Sequence, residues 1–232
     1  MRTRSRLLLP GLALLLTAGG CTTPAAHGPR LASGLHPTEQ WLVLRGGMHA
    51  PLELVTQAEA AGDALLRSAA REVDPDDPSL EHFEARMLAT LRAAQGVGLA
   101  APQVGIPRRV ILVQRLDQPD QPIRAYRNPS LTWRSPETEL GWEGCLSVPG
   151  FRAQVRRARA VEVEHALRDG SRVRERVEGF SARIFQHEVD HLDGVLYLDR
   201  REPGPLVREE VYQRLKASGA LGDPAARPPK PE

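Results

Sequence analysis

The chain has 232 residues, 41% hydrophobic and 26% charged, which suits one globular domain with short extensions and is too little for two. Lys+Arg 31 against Asp+Glu 29 leaves a net charge of +2, too balanced for a dedicated nucleic-acid binder, so no nucleic-acid partner is expected. Two cysteines, Cys21 and Cys145, exclude a disulfide scaffold, and an aromatic content of 4% leaves the core to Leu, Val, Ile and Ala.

Residues 1–21 form a separate object. Arg2, Arg4 and Arg6 precede an apolar run from Leu7 to Leu16 that is too short to span a bilayer, the layout of a secretory signal. Ala18, Gly19 and Gly20 before Cys21 look like a bacterial lipobox, in which the thiol is lipidated; Ala18 stands where the usual pattern has Leu. The reading predicts a lipoprotein anchored to the membrane at Cys21 and facing the periplasm or cell exterior. Use of a downstream start would instead leave the protein in the cytoplasm.

Residues 22–60 are expected to be a tether or extension, since residues 22–34 are small, polar and rich in Pro and Gly. Leu54, Ala58, Ala61 and Leu65 fall in helical phase, so residues 52–72 are expected to be amphipathic. Ser79 can cap a helix carrying Leu80, Phe83, Met87, Leu88 and Leu91 on one face, with Gly96 stopping the run. Val110 to Val113 is a short apolar strand. Val155 to Ala166 and Arg172 to Val177 flank Asp169-Gly170, a hairpin signal. A second strong helix is expected from about Ser181 to Leu192, ended by Gly194, and a last one over residues 205–217 with Leu206, Val207, Val211 and Leu215. The tail over 222–232 has little to bury and is expected to be disordered. Helices and strands mix without regular β-α alternation, so the fold class is α+β.

Three segments carry chemistry. In His187-Glu188-Val189-Asp190-His191 the two histidines, four apart on one helix, can point at one metal while Glu188 sits beside a bound water. A catalytic site needs a third protein ligand. Asp190 and Asp193 compete for that role, but Asp190 would have to turn to another helix face, and Cys145 in Trp142-Glu143-Gly144-Cys145-Leu146-Ser147 is the better candidate. The third segment is Gly96-Val97-Gly98-Leu99-Ala100-Ala101-Pro102-Gln103. It lacks the third glycine of a dinucleotide loop and the Lys-Ser/Thr of a P-loop, so a nucleotide role is disfavoured. Its paired glycines let a peptide lie against backbone, and Gln103 offers a neutral amide donor to an oxyanion.

Together these segments resemble the three motifs of the peptide deformylase family, G-φ-G-φ-A-A-x-Q, E-G-C-L-S and H-E-x-D-H, present here in order and complete. Gln186, Asn128-Pro129, Val148-Pro149-Gly150 and Gly194-Val195-Leu196 also fit. The likeness covers about Gly62 to Arg201, which places a catalytic domain at 61–202 and a C-terminal helix at 203–221. The resemblance implies a compact α+β domain with antiparallel strands around a central HExxH helix. It implies one divalent ion, Fe2+ in the family with Zn2+, Ni2+ or Co2+ able to replace it, held by Cys145, His187 and His191. Glu188 would be general base and acid, and Gln103 and the Leu146 N–H would hold the oxyanion. Gly96, Val97, Gly98, Gly144 and Arg152 would contact a formyl-methionyl peptide, with Val97, Leu146 and Ile184 lining its methionine pocket. The implied activity is hydrolytic removal of the N-formyl group from N-terminal methionine, releasing formate. An exported protein would act on exported formyl peptides or other N-acyl peptides. A non-catalytic peptide- or metal-binding envelope module is the rival from another class. A zincin-type protease is a poorer one, because it would leave Cys145 unexplained.

Overall fold

A computed structural model describes residues 34–221; the expected signal over 1–21 with Cys21, residues 22–33 of the expected tether or extension, and the tail from 222 lie outside the described residues. In chain order the elements are α1 (Pro37–Leu44), α2 (Ala60–Leu66), α3 (Ser79–Ala93), β1 (Gly98–Ala100), a 3₁₀ turn (Ala101–Val104), β2 (Val110–Gln114), β3 (Ile123–Arg134), β4 (Thr138–Cys145) and β5 (Val148–Ala158). They continue with β6 (Ala160–Ala166), β7 (Arg172–Glu178), α4 (Gly179–Leu192), a second 3₁₀ turn (Tyr197–Asp199), β8 (Val207–Arg208) and α5 (Glu209–Ala217). Among the described residues no helix is long and apolar enough to cross a membrane.

The apolar run at Val110–Val113 is β2, buried on both sides. Val110 and Leu112 join one cluster with Phe83, Met87 and Leu91 of α3, while Ile111 and Val113 join another with Ile184, Phe185 and Val189 of α4. A strand covered on both faces needs no polar alternation, which is why its sequence is unbroken. It belongs to a five-stranded antiparallel sheet of order β1-β2-β3-β6-β7, beside a three-stranded sheet β4-β5-β8. The helix α4 is buried on nearly every face, with Ala182, Ile184, Phe185, Val189 and Leu192 in the core. Gln186 fastens it where β5 breaks into β6: its side chain accepts from the Ala158 N–H at 3.0 Å and donates to the Ala158 carbonyl at 2.9 Å. The α+β class, the antiparallel strands around a central HExxH helix and the C-terminal helix are all as expected.

Four local expectations need correction. The apolar stretch at Val155–Ala166 is two strands, because β5 ends at Ala158 and β6 starts at Ala160. The helix within 52–72 covers only Ala60–Leu66, because the preceding backbone is tied elsewhere: Val55 N–H donates to the Gln103 carbonyl and Gln57 N–H to the Ser147 carbonyl. Ser79 is the first helical residue, not the cap, and Asp77 accepts from its N–H and hydroxyl at 2.8 and 2.6 Å. The last helix starts at Glu209 because Val207 and Arg208 pair with Arg152 and Phe151 of β5. The hairpin at Asp169-Gly170 is present, with Ala166 opposite Arg172 and Gly170 at φ +82°.

The larger correction concerns residues 34–60, which are not a tether where they are described. Val43 of α1 is fully buried beside Leu80 and Phe83. Glu39 accepts three bonds of 2.7–3.1 Å from Arg108, both side chains being buried. Arg86 donates to the carbonyls of Leu42 and Val43, which the end of α1 leaves free, and to those of Ala50 and Pro51 in the segment after it. Removing one partner of a buried pair strands the other, so Glu39→Ala should lower stability by about 3–5 kcal/mol in a denaturant titration. Burial opposes ionisation of Glu39, but Arg108, the His36 N–H and Arg71 together outweigh it and hold the carboxyl below its ordinary value. That contribution is complete above the unfolded glutamate range and is lost as pH falls through the lower folded value. Glu39→Gln should therefore flatten the acid limb of a plot of melting temperature against pH.

Candidate metal centre and active-site cavity

The strand β4 ends at Cys145, and α4 presents His187, Glu188 and His191 to it. One ligand atom each from Cys145, His187 and His191 lies within 4.8 Å of the others. Cys145 Sγ is 3.1 Å from His191 Nε2, and it accepts from Gln103 Nε2 and the Ser147 N–H at 3.4 Å each. Burial would raise the Cys145 thiol, but His191 first and then His187 outweigh it and bring it to about 5. Burial pulls the other way on His187, where Cys145 and Glu143 prevail and raise it well above its ordinary value. A convergent thiolate and two imidazoles form a donor set that suits a divalent transition ion. His191 Nδ1 is buried without a protein partner, and His187 Nδ1 is engaged by Glu143 Oε2 at 2.9 Å, leaving His187 Nε2 toward the centre. The residues present fit the cation.

Asp190 and Asp193 are not candidates for ligation. Asp190 is buried between Arg157 and Arg200, and Asp193 pairs with Arg109 at 2.8 Å.

Sequence reasoning missed the support beneath the ligands. Glu143 is buried and accepts from His187 Nδ1, from Arg157 Nε and Nη2 at 2.9 Å each, and from Arg183 Nη1 at 2.8 Å. Burial opposes its charge, yet His187 and Arg157 hold its carboxyl far below the usual range. A carboxylate that fixes a ligand histidine sets its tautomer and ring orientation. The one available signal was Glu143 standing two residues before Cys145; Arg157 and Arg183 gave none.

Gln103 sits on the first 3₁₀ turn, 2% exposed. Its Oε1 accepts from the Ala100 N–H at 2.7 Å, which turns its amide nitrogen toward Cys145. Glu188 is 4% exposed, its Oε2 has no protein partner, and burial pushes its carboxyl up to about 7. Such a group can take and return a proton near neutrality.

A cavity of about 680 Å³ opens over Cys145, His187 and Glu188. Gln103 and Leu146, and all five residues expected to contact substrate, Gly96, Val97, Gly98, Gly144 and Arg152, line it, as does Ile184. Space is tight at two of these glycines. A Cβ on Gly98 would fall 2.3 Å from Glu188 Oε1 and 2.7 Å from Ile184 Cγ2, and one on Gly96 would fall 2.7 Å from Leu91 Cδ1. Gly98→Ala must therefore displace the Glu188 carboxylate. It should cut turnover at least about 100-fold, the lower range for losing a positioned proton carrier, while metal content stays that of the parent.

The chain matches a family model described as polypeptide deformylase over residues 55–205. Among curated proteins it is 45% identical over 138 residues to the peptide deformylase of Desulforudis audaxviator, covering 60% of this chain and 88% of that protein. It is 39% identical over 190 residues to the chloroplastic/mitochondrial peptide deformylase 1A of Arabidopsis thaliana, covering 74% and 70%. The crystal structure of peptide deformylase from Thermotoga maritima superposes with a TM-score of 0.61 at 38% identity, covering 67% of this chain and 100% of that one. A Met-Ala-Ser-bound class I type b peptide deformylase from Acinetobacter baumannii gives 0.58 at 38% identity, covering 66% and 99%.

Proposed function

The chain belongs to the peptide deformylase family, and we propose that it works through Cys145, His187 and His191 as ligands of its cation, Glu188 as proton carrier, and Gln103 with the Leu146 N–H as oxyanion donors. The protein is a metal-dependent hydrolase that removes the N-formyl group from N-terminal methionine and releases formate. The observation that carries the assignment is the convergence of one thiolate and two imidazoles within 4.8 Å beside a buried, unpaired carboxylate at one cavity.

A bound cation supplies Lewis acidity and a nucleophilic water at neutral pH. Glu188 accepts the proton of the attacking water at a carboxylate oxygen and passes it to the leaving amine nitrogen. Gln103 Nε2 and the Leu146 N–H donate to the oxygen that develops charge, each contributing about 2.7–4 kcal/mol by analogy with other oxyanion donors. Val97, Leu146 and Ile184 offer the methionine side chain an apolar wall. Iron is the ion the family resemblance favours. A thiolate-imidazole set also takes zinc, nickel or cobalt, and zinc is favoured where the thiolate meets oxidants.

Mass spectrometry of formyl-Met-Ala-Ser incubated with the metal-loaded full chain tests this reading. Met-Ala-Ser and formate are the expected products; internal cleavage with the formyl group retained would overturn it in favour of a protease.

We further propose export and anchoring at Cys21, supported by the basic start, the apolar run and the small residues before the cysteine. The substrates would then be exported formyl peptides or other N-acyl peptides. Membrane fractionation should find the wild type with the membranes and Cys21→Ser released from them. Soluble cytoplasmic protein in both cases would contradict anchoring.

A further inference from the structure

Arg152 is held on two sides by groups that leave one edge free. Its Nε donates to Glu209 Oε2 at 2.6 Å and its guanidinium lies 4.5 Å over the Tyr212 ring, with room for its Cζ left by Gly144, whose Cβ, if present, would stand 3.3 Å away. Its Nη1 and Nη2 have no protein acceptor among the described residues, while Arg152 and Glu209 both line the cavity. Glu209 is itself fixed: Gln213 Nε2 donates to its other oxygen at 2.6 Å. Arg152 stands opposite Val207 in the register of β5 and β8, which brings the start of α5 beside it. Both β8 and α5 lie beyond residues 55–205, so this half of the pair is outside the segment matched to the family.

We propose that Glu209 is a positioning and specificity-determining residue for the peptide that follows the formyl-methionine. It holds the Nε edge of Arg152 so that Nη1 and Nη2 face a peptide carbonyl, and it cancels the charge of that guanidinium. The wall then carries no net charge and accepts acidic and basic side chains alike. Without Glu209 the same wall is cationic, repels a basic side chain after the methionine and attracts an acidic one. The inference rests on the substrate lying in this cavity, as the proposed function has it.

The test reads binding of the product peptides Met-Glu-Ser and Met-Lys-Ser to the metal-loaded full chain by calorimetry, so it does not depend on turnover. The wild type should bind both within about twofold. Glu209→Gln should shift the ratio of the two Kd values toward the acidic peptide by about three- to tenfold, the scale of one uncompensated charge at a partly solvated wall. Glu209→Asp should restore the wild-type ratio, and adding Arg152→Ala to Glu209→Gln should abolish the shift. A loss of thermal stability alone would not change the ratio, so a purely structural Glu209 is separable. An unchanged ratio in Glu209→Gln would overturn the proposal. Wild type that binds these peptides without releasing formate from formylated ones would instead contradict the deformylase assignment.

Discussion

Glu188→Ala should keep its metal and lose about 10²–10⁴ of its formate-release rate, the range for a proton carrier in the transition state. Cys145, His187 and His191 are untouched by the substitution, so elemental analysis should return the wild-type metal content. The stability of this variant is informative in the opposite direction. Glu188 is buried, one of its oxygens has no protein partner, and burial drives its carboxyl up to about 7. Its removal relieves an uncompensated polar group, so the melting temperature should hold or rise. Glu188→Gln keeps the shape without the basicity and should be about as inactive. Full activity in either variant would end the assignment.

Glu143→Ala should be the most damaging substitution for the fold around the centre. One carboxylate holds His187 and two buried arginines, Arg157 and Arg183. Removing it leaves Arg157 with Asp190, and Arg183 with the Val155 and Glu139 carbonyls. Breaking a buried ionic network this way costs about 3–5 kcal/mol. It also frees the His187 ring, and loss of such a supporting carboxylate weakens metal binding about 10- to 100-fold. Thermal denaturation and chelator competition check the two effects separately. A melting temperature equal to that of the wild type would show that Arg157 and Arg183 are satisfied without Glu143.

The residues proposed for the chemistry were legible in the sequence, and the residues packed beneath them were not. His187, Glu188 and His191 are four or fewer positions apart, and helical periodicity alone puts both histidines on one face. Val110–Val113 and the hairpin at Asp169-Gly170 are equally local signals. Glu143 differs: its meaning depends on Arg157 and Arg183, 14 and 40 residues away, and no periodicity links them. The helix α1 was missed for the same reason. It is short and follows a Pro- and Gly-rich stretch, and it is secured by Arg108 and Arg86, 69 and 43–44 residues distant. The over-long helix expected within 52–72 is the converse case, where helical phase was present but bonds to Gln103 and Ser147 drew the backbone into an extended path. Glu209 belongs with these, since only the pairing of β8 with β5 brings it to Arg152.

The most direct test of the central claim is formate release from formyl-Met-Ala-Ser by the anaerobically purified full chain, with metal content determined on the same sample. Turnover with one divalent ion per chain, both lost together on chelation and regained with added Fe2+, is the predicted result. One bound ion per chain with no formate released from any formyl-methionyl peptide would contradict it.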